Sequence, residues 1–168
     1  MEVGFAGLGR MGRPMARHLA VAGHRVIGRD PAVGRADEPE DAGIEMTDDP
    51  ARLAQAEVSV SMLPDAAATE RLLLGERGLI AHAGPSHVHV VMGTVGPTAA
   101  RALAGKARAA GVLLADAPVS GSVSMAEAGT ITTMVGAEPD VFASIRPVLA
   151  AMTRAQFHTG PVGSGSAA

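Results

Sequence analysis

Short apolar runs alternate along the chain with segments whose apolar residues recur at the spacing of a helix. The run Glu2–Ala6 is apolar and ends in glycines, which predicts a short buried strand. Within residues 10–22, the side chains of Met11, Met15 and Leu19 recur every four residues, which predicts a helix with one apolar face. The chain is therefore expected to open with a strand followed directly by a helix.

The alternation of strands and helices continues through the rest of the chain. We predict further strands at 25–28, 57–63, 87–92, 112–118 and 130–135, and further helices at 51–56, 66–74, 97–110 and 140–152. A polar stretch rich in Asp, Glu and Pro separates the second strand from residue 50. Strands and helices in this order predict an α/β fold, in which helices cover both faces of a doubly wound, largely parallel sheet.

The first turn carries glycines at positions 7, 9 and 12, a G-x-G-x-x-G pattern. Gly7 permits a tight turn, Gly9 lets the backbone approach a pyrophosphate, and Gly12 lets helix and strand pack closely. An ordinary tight turn would also fit these letters. The order of strand, turn, helix and second strand is the context that dinucleotide binding requires, so we predict a dinucleotide site.

The residue after the second strand bears on which dinucleotide binds. Asp30 lies where an acidic side chain accepts the ribose hydroxyls of NAD and repels the 2′-phosphate of NADP. Arg29 and Arg35 are near it in sequence, and an arginine there can instead pair with that phosphate. Asp30 can also be simply a turn residue, since Asp-Pro starts turns. We predict NAD, with NADP as the alternative.

Composition and charge narrow the class of protein further. The chain has 168 residues, a hydrophobic fraction of 47% and a net charge of −3, which fit one globular domain without a nucleic-acid footprint. No apolar run is long enough to span a bilayer, and without cysteine there is no disulfide or thiolate metal site. His87 and His89 are expected to pack or to face solvent, not to bind metal. We expect a cytoplasmic protein with no metal, nucleic-acid or membrane partner.

Four stretches in order resemble the β-hydroxyacid dehydrogenase family, which includes 3-hydroxyisobutyrate dehydrogenase. The opening GFAGLGRMGRPMARHLAVAGH is similar to that of the family, and SMLPD is similar to its segment along the adenosine ribose and phosphates. MGTVGPTAAR resembles the stretch whose threonine lies near the nicotinamide. DAPVSGSVSMAEAGTITTMVGA resembles the family's substrate signature. The resemblance covers almost the whole chain and implies a Rossmann-type domain.

The resemblance also implies which residues form the site. The implied cofactor contacts are Gly7, Leu8, Gly9, Arg10, Met11, Gly12, Asp30, Leu63, Pro64 and Thr94. The implied substrate residues are Ser120, Gly121 and Ser122, with the first two holding a carboxylate.

The chain departs from the family pattern at two positions. Gly93 stands where the family has a serine, and Ser122 stands where it has a glycine. We expect the side chain at Ser122 either to narrow the substrate site or to strain the backbone.

The resemblance divides the chain into a dinucleotide-binding domain, 1–159, and a glycine- and serine-rich hinge, 160–168. In the family, a lysine acting as general acid and base follows directly, and then an all-helical domain. We therefore expect no catalytic residue in this chain, and expect Lys106 to be a surface residue. The implied intact protein is an NAD-dependent, homo-oligomeric 3-hydroxyacid dehydrogenase. The alternatives are a stand-alone, non-catalytic NAD(P)-binding module and an NADPH-dependent semialdehyde or glyoxylate reductase.

Overall fold

The computed structural model of the protein describes residues 1–32 and 43–168. Its described part contains nine strands, six α-helices and one short 3-10 helix. The strands are β1 (Glu2–Ala6), β2 (Arg25–Arg29), β3 (Ile44–Met46), β4 (Val58–Ser61), β5 (Val88–Val91), β6 (Leu113–Asp116), β7 (Val119–Ser120), β8 (Thr132–Gly136) and β9 (Ala155–Gly160). The helices are α1 (Gly12–Val21), α2 (Pro50–Ala54), α3 (Ala66–Leu74), α4 (Pro97–Ala109), α5 (Val123–Glu127) and α6 (Pro139–Met152), and the 3-10 helix is Leu79–His82.

All strands belong to one sheet, in which strands β1 to β6 run parallel in the order β3-β2-β1-β4-β5-β6. Beyond β6, strand β8 runs antiparallel to β6 and β7, and β9 lies parallel to β8. The chain passes from β3 back across to β4, so the strand order reverses between β1 and β4. In such sheets the crevice at the carboxyl ends beside the reversal is the usual ligand site. The prediction of a doubly wound α/β sheet is confirmed.

The parallel strands end together. Five residues are register partners across β2, β1, β4, β5 and β6, and we call them the carboxyl-end row: Arg29, Ala6, Ser61, Val91 and Asp116. The loops after these strands all start from this one line, so residues far apart in sequence meet beyond it.

Alternation along each strand divides the buried side chains between two cores. Val58 and Val60 of β4 face one core with Phe5 of β1, Leu19 of α1 and Ile145 of α6. The second core, on the opposite face, is formed by buried residues of α2, α3, the 3-10 helix, α4 and strand β6: Leu53, Leu72, Leu73, Leu79, Leu103 and Leu114. Burial on both faces is what holds a parallel sheet together.

A polar chain lies buried between β4 and β5, and we call it the serine–histidine ladder. The Ala56 carbonyl contacts His87 Nδ1 at 2.9 Å, and His87 Nε2 contacts Ser59 Oγ at 2.7 Å. Ser59 Oγ also contacts His89 Nδ1 at 2.7 Å, and His89 Nε2 contacts Ser61 Oγ at 2.9 Å. Of the two predicted possibilities, packing or exposure to solvent, both histidines pack in the interior, and their ring nitrogens hydrogen-bond to protein groups.

The ladder has one consistent proton arrangement, because a carbonyl can only accept. Burial lowers the pKa of His87, and burial together with the neighbouring His87 lowers the pKa of His89 to about 3, so both rings are neutral. His87 Nδ1 must then donate to Ala56, and its Nε2 accepts from the Ser59 hydroxyl. His89 Nδ1 donates to Ser59 in turn, and Ser61 donates to His89 Nε2. All four hydrogen bonds of the ladder therefore donate in the same direction, from Ser61 towards the Ala56 carbonyl.

Several elements differ from the sequence-based prediction. Helix α1 begins at Gly12 and not at residue 10, because the preceding residues form the glycine turn. Five short elements were not predicted: β3, β7, α5, β9 and the 3-10 helix. β9 carries no apolar alternation because it lies at the sheet edge and none of its residues is fully buried. Arg35, the predicted alternative partner of a 2′-phosphate, lies outside the described residues.

Candidate cofactor-binding site

The glycine turn joins β1 to α1 at the reversal of strand order. Gly7 has φ of 91°, and a Cβ there would collide with the Met62 carbonyl. A Cβ on Gly12 would collide with the Gly7 carbonyl and lie 3.1 Å from the Phe5 ring. A Cβ on Gly9 would meet no atom within 4 Å, so the space above this residue is open. Two glycines are thus required by the fold, and the third faces room for a ligand.

The start of α1 presents backbone donors and arginines to this space. Met11 is the N-cap residue, and its own side chain makes no capping hydrogen bond. Helix N-termini of this kind attract phosphate. The adjoining cleft is lined by Leu8, Gly9, Arg10, Arg13, Pro14, Arg17, Val123 and Glu127. The Arg10 side chain is exposed here, where the sequence predicted a contact with the pyrophosphate.

The carboxylate of Asp30 is hydrogen-bonded to the glycine turn. Its Oδ2 accepts from the Leu8 amide at 2.8 Å, and its Oδ1 accepts from the Ala32 amide at 2.8 Å. The sequence predicted only a contact with ribose. Each carboxylate oxygen has a second lone pair, so Asp30 can hold the turn and still accept a hydroxyl. Leu8 contributes through its backbone alone, since its side chain is buried in the core.

Two adjoining clefts lie beside Asp30 at the carboxyl ends of β1, β2 and β4. One has a volume of about 310 Å³ and is lined by Ala6, Gly7, Arg29, Pro31, Pro50, Leu63, Ala68, Arg71 and Leu72. The other is lined by Gly7, Gly9, Asp30, Pro31, Ala32, Met62, Leu63, Pro64 and Ala68. The structure therefore brings together the predicted contacts from the glycine turn, Asp30, Leu63 and Pro64. Arg71, which lines the first cleft from α3, was not among the predicted contacts.

The loop after β5 lies against the loop after β4. A Cβ on Gly93 would collide with the Leu63 carbonyl, so in this chain the loop packs too closely for the serine that the family has here. Thr94 follows with an exposed side chain, and Gly96 and Pro97 then begin α4. Gly93 thus packs against Leu63, which lines both clefts, whereas Thr94 itself lines neither of them.

The predicted substrate residues lie at the end of β7 and the start of α5. Ser120 is exposed and pairs with Thr132 of β8. Gly121 has φ of 149°, and a Cβ on it would lie 2.8 Å from Ile131 Cγ2. Ser122 has an ordinary φ of −95° and caps α5, with its Oγ accepting from the Met125 amide at 3.3 Å. The expectation that Ser122 strains the backbone is wrong, because its φ of −95° is an ordinary value for any residue, and its side chain serves as the helix cap.

Other side chains have structural roles. His18 Nε2 contacts the carbonyls of Ala126 at 3.1 Å and Glu127 at 3.0 Å, which ties α1 to α5. Lys106 is exposed and pairs with Glu70 at 2.5 Å, as expected of a surface residue. Within residues 1–32 and 43–168, no three acidic or histidine side chains group so as to hold a metal ion. No helix in these ranges is long and apolar enough to cross a membrane.

The strand order and the glycine turn at its reversal define a Rossmann-type dinucleotide-binding domain. Residues 2–160 match the family described as the NAD binding domain of 6-phosphogluconate dehydrogenase, and the chain belongs to that family. The chain is thus an NAD-binding domain, as the sequence predicted.

Relatives of known function are similar along the whole chain. The chain is 39% identical over 168 residues to an NAD-dependent L-serine dehydrogenase and 40% identical over 168 residues to a 3-hydroxyisobutyrate dehydrogenase, both of Pseudomonas aeruginosa. Each match covers 99% of this chain and 56% of the relative, so the chain spans about half their length. The resemblance to hydroxyacid dehydrogenases is confirmed.

Solved structures agree with this assignment. A 3-hydroxyisobutyrate dehydrogenase of Mycobacterium tuberculosis with L-serine is 35% identical, with a TM-score of 0.89 over 99% of this chain and 56% of that one. Psf3 in complex with NADP+ is 27% identical, with a TM-score of 0.91 over 98% of this chain and 58% of that one. Similar domains thus occur in proteins that bind NADP+.

Proposed function

We propose that this chain is the cofactor-binding half of an NAD-dependent dehydrogenase that oxidises small 3-hydroxy acids. One observation carries the proposal: the predicted cofactor and substrate residues all follow the carboxyl-end row, although they come from five separate loops. NAD supplies the hydride acceptor when bound. The domain's own residues bind and orient the reactants.

The electrostatics beside the ribose favour NAD over NADP. Asp30 keeps a carboxylate at the end of β2, where it opposes a 2′-phosphate. Arg29, the arginine next to it, donates from Nε to the Asp48 carbonyl at 3.1 Å. NADP use is the alternative, supported by the NADP+ complex of Psf3 and by the arginines of the first cleft.

The substrate class follows from the segment at the end of β7. The exposed hydroxyl of Ser120 and the adjoining Gly121 amide suit a small carboxylate. The two Pseudomonas relatives are named for 3-hydroxyisobutyrate and L-serine, which share a carboxylate and a hydroxyl on carbon 3. We therefore propose a carboxylate subsite here.

The general acid and base is proposed to lie outside residues 1–168, in a lysine that follows residues 160–168. The family resemblance implies it, and the chain's span of 56% of its relatives supports it. Lys106 does not serve, because it pairs with Glu70 on the exposed surface between α3 and α4. A homo-oligomeric, cytoplasmic intact enzyme is part of the same proposal.

Titration calorimetry tests the cofactor assignment. We expect the chain to bind NAD+ more tightly than NADP+, and expect Gly9→Val to abolish binding because its side chain would fill the open space above the turn. Gly105→Ala is the matched control, since a Cβ on this residue of α4 also meets no atom within 4 Å and it lies outside the predicted site. Equal or reversed preference between the cofactors would refute the NAD assignment.

Turnover assays test the enzymatic part. We expect the intact gene product to reduce NAD+ with 3-hydroxyisobutyrate or L-serine, and the 168-residue chain to be slower by at least about 10²–10⁴-fold for want of a positioned acid. Comparable turnover by the chain alone would refute the external lysine. An intact gene product that binds NAD+ but oxidises no hydroxy acid would favour the stand-alone binding module.

A further inference from the structure

Asp116 ends β6 and is fully buried, yet it has no role in the proposed chemistry. Its Oδ1 accepts from the Gly163 amide at 2.6 Å, and its Oδ2 accepts from the Ser166 amide at 2.7 Å. None of the arginines, lysines or histidines in the described residues forms an ion pair with it. A buried carboxylate without a cation depends on such donors, so these two amides are its solvation.

The residues that Asp116 holds form a closed turn at 161–168, which we call the C-terminal turn. The Ser164 amide donates to the Pro161 carbonyl at 3.0 Å, and the Ser164 hydroxyl contacts Thr159 Oγ1 at 3.0 Å. Val162 packs against the second core. The turn is therefore attached to the domain by polar and apolar contacts.

Two glycines let the turn lie directly on the sheet. A Cβ on Gly165 would lie 2.5 Å from the Asp116 carbonyl oxygen and 2.6 Å from that of Met134. A Cβ on Gly136 would collide with the Asp116 carboxylate and lie 2.8 Å from the Gly165 amide nitrogen. Any side chain at either position would push the turn away from β6 and β8.

The anchored turn lies beside the proposed site. Asp116 belongs to the carboxyl-end row and pairs with Val91, the last residue of β5. The loop carrying Thr94 starts after Val91, and the segment leading to Ser120 starts after Asp116. One carboxylate thus connects the end of the C-terminal turn to the strands that carry the cofactor and substrate residues.

We propose that Asp116 is a positioning residue: it anchors the C-terminal turn and so sets where, and in which direction, the chain continues from this domain beside Thr94 and Ser120. The inference rests on the proposed function, in which the acid–base group follows this turn. A rigid attachment matters there, because a misplacement of about 1 Å can cost about 10²-fold in rate.

Amide exchange in the chain itself tests the anchor. Asp116→Asn keeps the shape but leaves only one acceptor oxygen, and Gly165→Ala moves the turn while leaving the Asp116 side chain itself unchanged. Both should raise the exchange rates of the Gly163 and Ser166 amides at least about tenfold, with NAD+ affinity unchanged. Asp140→Asn, at an exposed position in α6, and Gly105→Ala are matched controls that should change neither.

The outcomes separate this inference from the proposed function. Unchanged exchange in both variants would overturn the anchor, whatever the cofactor result. Loss of folding in both would also overturn it, because Asp116 would then serve global stability and not local position.

In the intact gene product, Asp116→Asn should lower kcat by about 10²-fold with little change in the NAD+ Kd. If the wild-type enzyme turns over and the Asp116→Asn variant has the same kcat, the positioning role alone is refuted. If the wild-type enzyme shows no turnover, the proposed function is refuted.

Discussion

The serine–histidine ladder makes the stability of this domain depend on pH. His89 is fully buried between two serine hydroxyls, and its pKa is lowered from 6.5 to about 3. The unfolded chain therefore binds a proton more readily than the folded one between these two pKa values. The stability from keeping His89 neutral is complete above about pH 6.5 and is lost progressively as the pH falls towards about 3.

The size of the effect follows from the difference between the two pKa values. Each pH unit within the window removes about 1.4 kcal/mol, so lowering the pH from 7.5 to 5 should cost about 2 kcal/mol of unfolding free energy. His87, whose pKa is also lowered, adds to this loss. A loss of this size is a substantial part of the stability of an ordinary domain.

Urea unfolding at a series of pH values measures the slope of the unfolding free energy against pH. His89→Asn removes the titrating ring, so between about pH 6 and 5 its slope should be smaller than that of the wild type by about one proton. The variant should also be less stable by about 1–3 kcal/mol at pH 7.5, because the ladder loses a buried partner. His82→Gln, at an exposed histidine, is the control and should keep the wild-type slope.

Two results would refute this reasoning. One is an equal slope in the wild type and His89→Asn. The other is a nitrogen NMR spectrum at pH 7 that places the His89 proton on Nε2 and not on Nδ1, since the ladder allows only the second arrangement.

Three further predictions concern Gly93, Ser122 and the exposed Phe157. Gly93→Ser restores the residue usual in the family, yet it should destabilise the chain by about 1–3 kcal/mol in thermal unfolding, because its Cβ meets the Leu63 carbonyl; an unchanged melting temperature would contradict the close contact. Ser122→Ala should cost about 1 kcal/mol by removing the cap of α5, whereas Ser122→Gly should cost less, and equal losses would argue against capping. The chain should self-associate at high concentration in sedimentation velocity, and Phe157→Ser should weaken this because Phe157 is 58% exposed on edge strand β9; a wild-type monomer at every concentration would exclude it.

Local patterns in the sequence determined most of the fold. Apolar runs and helical spacing predicted six strands, β1, β2, β4, β5, β6 and β8, and the main helices, because these elements bury whole faces. The glycine turn and Asp30 were recognisable because tight turns and ribose contacts need particular residue types at fixed spacing. The short strands β3 and β9 escaped prediction, since three polar-flanked residues and an exposed edge carry no periodic signal.

Tertiary structure alone decided which distant groups became partners. In the sequence, Asp116 is recognisable only as the first residue of a motif at the end of a strand. The folded sheet places its carboxylate against the amides of Gly163 and Ser166, which lie 47 and 50 residues later in the chain. The same holds for His89, whose pKa is lowered mainly by burial and whose ring nitrogens contact two serines of a neighbouring strand. Hydrogen bonding and burial of this kind arise only from strand register and packing, and a period along one strand contains no information about the strand beside it.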